Sequence, residues 1–229
     1  MNGNVEKISL NITQRLKLVS HGDSFHHEDE EIRVRPVRTS QEMKEVYRIV
    51  HDAYLEKGYI KEQPHGKLIH YPHLDGIPET TVLVALDNCK VIGTNSVTFD
   101  GLYGMHVDED FREECNQIRL ENRMLAASWR IATRKSCRNV RKVVMKLIQK
   151  TVDHALMNGV ETMLFTFNPR HERIYKRLLN MTTIARDDES VAGLSNAPAV
   201  LMRVDKENLP DRWLKTSEQR GHKEPAAVF

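Results

Sequence analysis

Residues 159–179 read GVETMLFTFNPRHERIYKRLL, and the fold turns on this stretch. Thr162–Phe167 is a short run of β-branched and aromatic residues, so it reads as a strand. Asn168 then stands where a helix N-cap would. Pro169 takes the first helical position, where its missing N–H leaves nothing unpaired. Ile174, Leu178 and Leu179 supply the apolar side of the helix that follows. A strand that runs directly into a helix start leaves free N–H groups beyond its carboxyl end, where ligands collect in mixed sheets.

The same reading extends outward in both directions. Upstream, Gly159 closes a helix over 138–157 at its C′ position, with Val140, Val144, Leu147, Thr151 and Ala155 on one stripe. Met124–Thr133 reads as a buried strand, although its alanines also suit a helix. The polar connection Asp100–Asn122 contains a short helical piece. Thr80–Leu86 and Val91–Phe99 are two strands joined by the turn Asp87-Asn88-Cys89-Lys90. Residues 56–79, with several prolines, glycines and histidines, form an extended loop. Before it, Ser40 caps a helix carrying Met43, Val46, Tyr47, Val50 and Tyr54, and Ile32–Val37 alternates as a half-buried strand. Downstream, Thr182–Arg186 and Ala199–Val204 complete the strands. This order predicts an α/β (α+β) single domain over about 32–204, a mixed central sheet flanked by helices. An N-terminal tail (1–31), in which Ile8–Val19 forms a short surface helix, and a C-terminal tail (205–229) flank it.

Composition removes several classes of protein. The 229 residues include 34 Lys or Arg against 32 Asp or Glu, a net charge of +2, with 40% hydrophobic and 29% charged residues. That balance fits a globular domain and excludes wholesale disorder. No run approaches the roughly 18 apolar residues of a membrane span, and no signal-peptide pattern opens the chain, so a cytoplasmic location is expected. Three widely spaced cysteines (Cys89, Cys115, Cys137) form neither a disulfide framework nor a metal-ligand spacing. Cys137 is expected to be a small core residue.

Four groups of residues, in order, resemble one family. They are His51-Asp52-Ala53-Tyr54 leading into Lys57-Gly58-Tyr59-Ile60, and Val91-Ile92-Gly93-Thr94 followed by Gly101-Leu102 and Arg123–Thr133. The third is Phe167-Asn168-Pro169-Arg170-His171 with Tyr175, Arg177 and Leu178-Leu179, and the last is Asn196-Ala197-Pro198-Ala199-Val200. Over about 32–204 the chain resembles the N-acyl amino acid synthases of the long-chain N-acyltyrosine type, within the GNAT acyltransferase superfamily. The resemblance implies a GNAT-like fold and transfer of a fatty acyl group to the amino group of an amino acid. The implied donor is an acyl-phosphopantetheine on acyl carrier protein, or acyl-CoA, with no tightly bound cofactor. It also brings in the autoinducer (acyl-homoserine lactone) synthases, which share the fold.

On this resemblance Tyr175 is the expected acid for the leaving thiolate, and Asn168 combines helix capping with a site contact. His171 is a candidate proton acceptor. Arg170 is placed to grip a carboxylate. Arg130 is the matching arginine of the Met124–Thr133 strand, but the glutamate that the family sets a few residues before it is Ala127 here. Glu121 is then the remaining candidate base, and a catalytically inactive acyl-carrier-binding module becomes an alternative.

Two further features bear on the donor. The stretch Arg134-Lys135-Ser136-Cys137-Arg138-Asn139 lacks the glycines with which GNAT enzymes cradle the coenzyme A pyrophosphate, which favours a carrier-tethered donor. From Asn122 to Val152 nine Lys or Arg residues occur without an acidic one, and Arg134, Arg138, Lys142, Lys146 and Lys150 recur every fourth residue. A ridge of like charge on a helix calls for an acidic partner such as acyl carrier protein. Near-neutral total charge and the lack of interleaved aromatics argue against nucleic acid.

Overall fold

The computed structural model describes residues 32–188, 194–195 and 197–214. The helix expected at Ile8–Val19 lies outside them. A seven-stranded sheet runs through the described chain: β1 (Arg33–Pro36), β2 (Thr80–Asp87), β3 (Lys90–Phe99), β4 (Leu125–Thr133), β5 (Thr162–Phe167), β6 (Thr182–Asp187) and β7 (Ala199–Asp205). Its order is β1-β2-β3-β4-β5-β7-β6. Only β4 and β5 pair in parallel; every other pair is antiparallel. The parallel pair is joined by the crossover helix α3 (Val140–Met157), the connection that two neighbouring parallel strands require.

Alternating strand residues feed two apolar layers. Leu83 and Ala85 of β2 pack with Val143 and Leu147 of α3 on one face. Val84 and Leu86 pack with Val46, Ile49 and Val50 of α1 (Ser40–Glu56) on the other. The buried side of α3 is broader than the expected stripe: Val143, Ile148 and Val152 join Leu147, Thr151 and Ala155, while Val140 and Val144 are only half-buried. The short helix expected within Asp100–Asn122 is α2 (Arg112–Arg119), preceded by a 3-10 turn at His106–Asp108.

Helix ends follow local chemistry, with two shifts from expectation. Thr39, not Ser40, caps α1: its hydroxyl accepts from the Glu42 N–H at 3.1 Å. Asn168 caps as predicted, its side chain accepting from the Arg170 N–H at 3.3 Å. However, Pro169–His171 form a 3-10 turn before α4 (Glu172–Leu179) begins. Gly159 ends α3 with φ +79°, a conformation that costs glycine little. The expected C-terminal tail belongs to the core as far as residue 214. Leu209 and Trp213 are buried, and the Trp213 indole donates to the Leu178 carbonyl at 2.8 Å.

Candidate active site at the fork between β4 and β5

β4 and β5 pair only from Leu125–Thr162 to Ser128–Phe165, after which the two strands separate. A bulge accompanies the parting. Ser96 of β3 faces Trp129 and Thr94 faces Ala132, so Arg130 and Ile131 together oppose Asn95 alone. Arg130 takes φ +62°, outside the strand region. An extra residue on one strand bends it and re-aims its side chains. Trp129 and Arg130 therefore both reach the α1 side of the sheet, against Tyr71 and Asp75 respectively. On the opposite face the Asn95 amide donates to Ser128 at 2.8 Å and Thr151 at 2.7 Å, tying α3 to the strands beside the bulge.

Arg130 braces the sheet against the loop before it. Its guanidinium, fully buried, grips Asp75 through two hydrogen bonds of 2.7 and 3.1 Å. Its Nε donates to Ser96 at 2.9 Å, and the group lies 4.2 Å over the Trp129 ring. Tyr47 adds a 3.0 Å bond to the same carboxylate. Through these bonds the residue expected to meet substrate holds the 57–79 loop against the sheet. That loop is also pinned to α1, where the Gln63 N–H donates to His51 Nε2 at 3.2 Å and the Leu68 N–H to the Tyr47 carbonyl at 3.1 Å.

The first residues past the last β4–β5 pair are Trp129 and Thr166, and His106 touches both. Its Nε2 lies 3.1 Å from the Thr166 hydroxyl, and its ring stacks on Trp129 at 5.8 Å and 26°. Tyr71 closes the aromatic group, 5.0 Å from Trp129. The His106 Nδ1 is buried without a hydrogen-bond partner. Burial, with His70 adding and Asp108 opposing, drives the imidazole down to about 3, so it is neutral at physiological pH.

At the carboxyl end of β5 the structure brings Asn168, Arg170 and His171 together with Tyr59 of the 57–79 loop. The Tyr59 hydroxyl accepts from the Asn168 amide at 3.0 Å and from Arg170 at 3.4 Å. Arg170 Nε also donates to His171 Nε2 at 3.2 Å. Burial, then Arg170 and Lys57, lower His171 to about 4. It is neutral with its Nε2 lone pair occupied, which makes it a support for Arg170 and a poor base. Neither Arg170 nor Lys57 forms an ion pair within 4 Å among the described residues, and burial together with the neighbouring Arg170 lowers the Lys57 pKa against a weaker opposing pull from Glu56. Tyr175 stacks face to face on Phe167 at 3.7 Å and 6°, and its hydroxyl meets no hydrogen-bond partner among the described residues. Burial pushes it up to about 12, which keeps it protonated at neutral pH.

Other expected residues lie elsewhere. Glu121 sits before the first residue of β4, at the opposite end from the fork, and holds Arg203 through two 2.5 Å bonds. That pairing lowers its pKa; a paired carboxylate so placed cannot serve as base at the fork. Ala127 is buried among Met105, Val107 and Leu164, an apolar setting that leaves no role for a carboxylate. The basic ridge is partly consumed: Arg134 pairs with Glu45 at 2.5 Å and bonds the Val91 carbonyl, and Lys146 donates to the Ile32 carbonyl at 2.7 Å. Lys142 also has an interaction partner, whereas Arg138 and Arg141 are exposed. Sequence reasoning missed Asp75, His106, Trp129 and Thr166 as parts of one site. No spacing links them, because a loop and a strand bulge bring them together.

A strand fork at the only parallel pair among the described strands, with a helix crossing between them, is the arrangement of a GNAT-like fold. The fold is shared with FeeM, an N-acyl amino acid synthase from uncultured soil microbes: TM-score 0.67, 20% identity, covering 85% of this chain and 99% of that one. The acyl-homoserine lactone synthase LasI matches at TM-score 0.57 and 13% identity over 77% of this chain and 90% of that one. The coenzyme A-dependent acyl-homoserine lactone synthase BjaI matches at 0.54 and 14% over 79% and 82%. No curated protein matches the sequence. Residues 45–205 match the family described as N-acyl amino acid synthase FeeM, and the chain belongs to that family. Among the described residues no helix is long and apolar enough to cross a membrane.

Proposed function

We propose that this N-acyl amino acid synthase takes a long-chain acyl group from acyl carrier protein and places it on an amino acid held at the β4–β5 fork. The observation that carries the reading is the end of β5. There the strands have parted, the cations Arg170 and Lys57 lie close enough to act on each other with Glu56 opposing only at Lys57, and Tyr175 offers a hydroxyl with no hydrogen-bond partner among the described residues. The two cations suit the substrate carboxylate, Arg170 offering a planar two-pronged grip that the neutral His171 supports. The thioester arm lies in the gap between the strands. The amine nitrogen attacks the thioester carbonyl to form the C–N bond, the tetrahedral adduct then expels the thiolate as the C–S bond breaks, and Tyr175 protonates the thiolate and regains its proton from water. The amine's proton leaves to water, since Glu121 is committed to Arg203. Holding both reactants in one groove supplies a large part of the rate.

Two features favour a carrier-borne donor. The 134–139 turn has no glycine to admit a pyrophosphate. Arg138 and Arg141 beside it are exposed cations suited to an acidic carrier. Mass analysis of lipids from cells expressing the protein tests the reading. N-acyl amino acids are expected, with Tyr175→Phe lowering their yield about 100-fold at equal protein level. Acyl lactones would instead assign the autoinducer reaction, and no new lipid would reject transfer altogether. Undiminished yield from Tyr175→Phe would remove its role as acid.

A further inference from the structure

Thr166 follows the last β5 residue paired to β4, so its side chain stands where the fork opens. The Thr166 hydroxyl is bonded to His106 Nε2 at 3.1 Å, and His106 is 2% exposed. One ring nitrogen of a neutral imidazole carries a proton. A buried N–H without an acceptor is rarer than a buried acceptor left unused, and the unpartnered atom here is Nδ1. The proton therefore belongs on Nε2, which donates to the Thr166 oxygen. That leaves the hydroxyl's own hydrogen free, and no described residue accepts it.

The 3-10 turn carrying His106 is fixed in place. The Asp108 carboxylate accepts the Met105 N–H at 2.7 Å and two bonds from Arg119, each 2.7 Å, while Arg119 also grips Asp100. Gly104, at φ +67°, is needed beside it, because a Cβ there would come within 2.8 Å of the Asp108 carboxylate. Stacking on Trp129 holds the ring plane.

We propose that Thr166 is a further catalytic residue, its hydroxyl donating a hydrogen bond to the thioester carbonyl oxygen as that oxygen becomes an oxyanion, with His106 as the positioning residue that aims it. The inference rests on the reading that the fork holds the thioester. In the step, the amine lone pair forms the C–N bond and the carbonyl π pair moves onto oxygen, where the Thr166 O–H stabilises it without giving up its proton. The oxygen pair then re-forms the carbonyl and expels the thiolate, which is protonated as already described. Tyr175 lies with Phe167 on the opposite face of β5 from Thr166, so acid and oxyanion donor approach the reacting carbon from different sides. A preorganised donor to a developing oxyanion, held away from water, is a large catalytic effect.

Initial rates of N-acyl amino acid formation test this, using purified full-length protein, palmitoyl-acyl carrier protein and a mixture of the twenty amino acids. Thr166→Val should lower kcat about 100-fold with KM little changed, and Thr166→Ser should restore most of it. His106→Gln, which keeps an N–H near the Nε2 position, should stay active, while His106→Leu should fall toward the Thr166→Val level. Wild-type kcat in Thr166→Val, or equal loss in the valine and serine variants, would overturn the inference. Should the valine variant not fold, the glutamine and leucine variants decide, and equal kcat in that pair overturns it. Absence of product from the wild-type protein would fail the parent reading instead, so the two failures are distinct.

Discussion

Asp75 shows how much of the site depends on a single carboxylate. It receives Arg130 at two oxygens and the Tyr47 hydroxyl, in a setting where the arginine side chain is wholly buried. Removing one partner of a buried pair strands the other charge, at a cost of about 3–5 kcal/mol. Asp75→Ala should lower stability by that amount in urea denaturation; a loss below about 1 kcal/mol would show that the brace is replaceable. At this scale the sequence was readable where chemistry is local. Asn168 caps a turn two residues away, and Tyr175 follows on the next helix. Asp75, His106, Thr166 and Trp129 were not readable. A histidine in a polar connection gives no sign of the threonine 60 residues on that it will meet.

Elements account for most of what the sequence disclosed and for its principal surprises. Strand and helix identities followed from period and end chemistry, and β5 spans the same residues that its β-branched and aromatic run predicts. The β4 bulge left no mark, because Arg130 at positive φ is an ordinary residue made to bend by its neighbours. Periodicity also overstated the basic ridge. Charge spacing gives direction on a helix but not what the rest of the fold places opposite, and Arg134 and Lys146 meet Glu45 and the Ile32 carbonyl. The cations left exposed are Arg138 and Arg141, the pair proposed to meet an acidic carrier. Reversing both to Glu should weaken carrier affinity at low salt, with the difference shrinking as ionic strength rises. Equal affinity for wild type and variant at low salt would assign the pair to solvent.

At the scale of the whole molecule, alternating elements in the second half of the chain already implied a mixed sheet, and the single parallel pair at its centre makes the fork. The family resemblance supplied the reaction class, which periodicity and composition do not contain. The polar C-terminal stretch hid a buried tryptophan, since one large aromatic can anchor a segment whose average composition is hydrophilic. The account as a whole holds that one fork brings a tethered thioester and an amino acid into aminolysis. Its most direct test mixes purified protein with palmitoyl-acyl carrier protein and amino acids, and counts thiol released against amide formed. One thiol per N-acyl amino acid is predicted. Thiol release without amide would make the protein a hydrolase, and neither product would contradict the account outright.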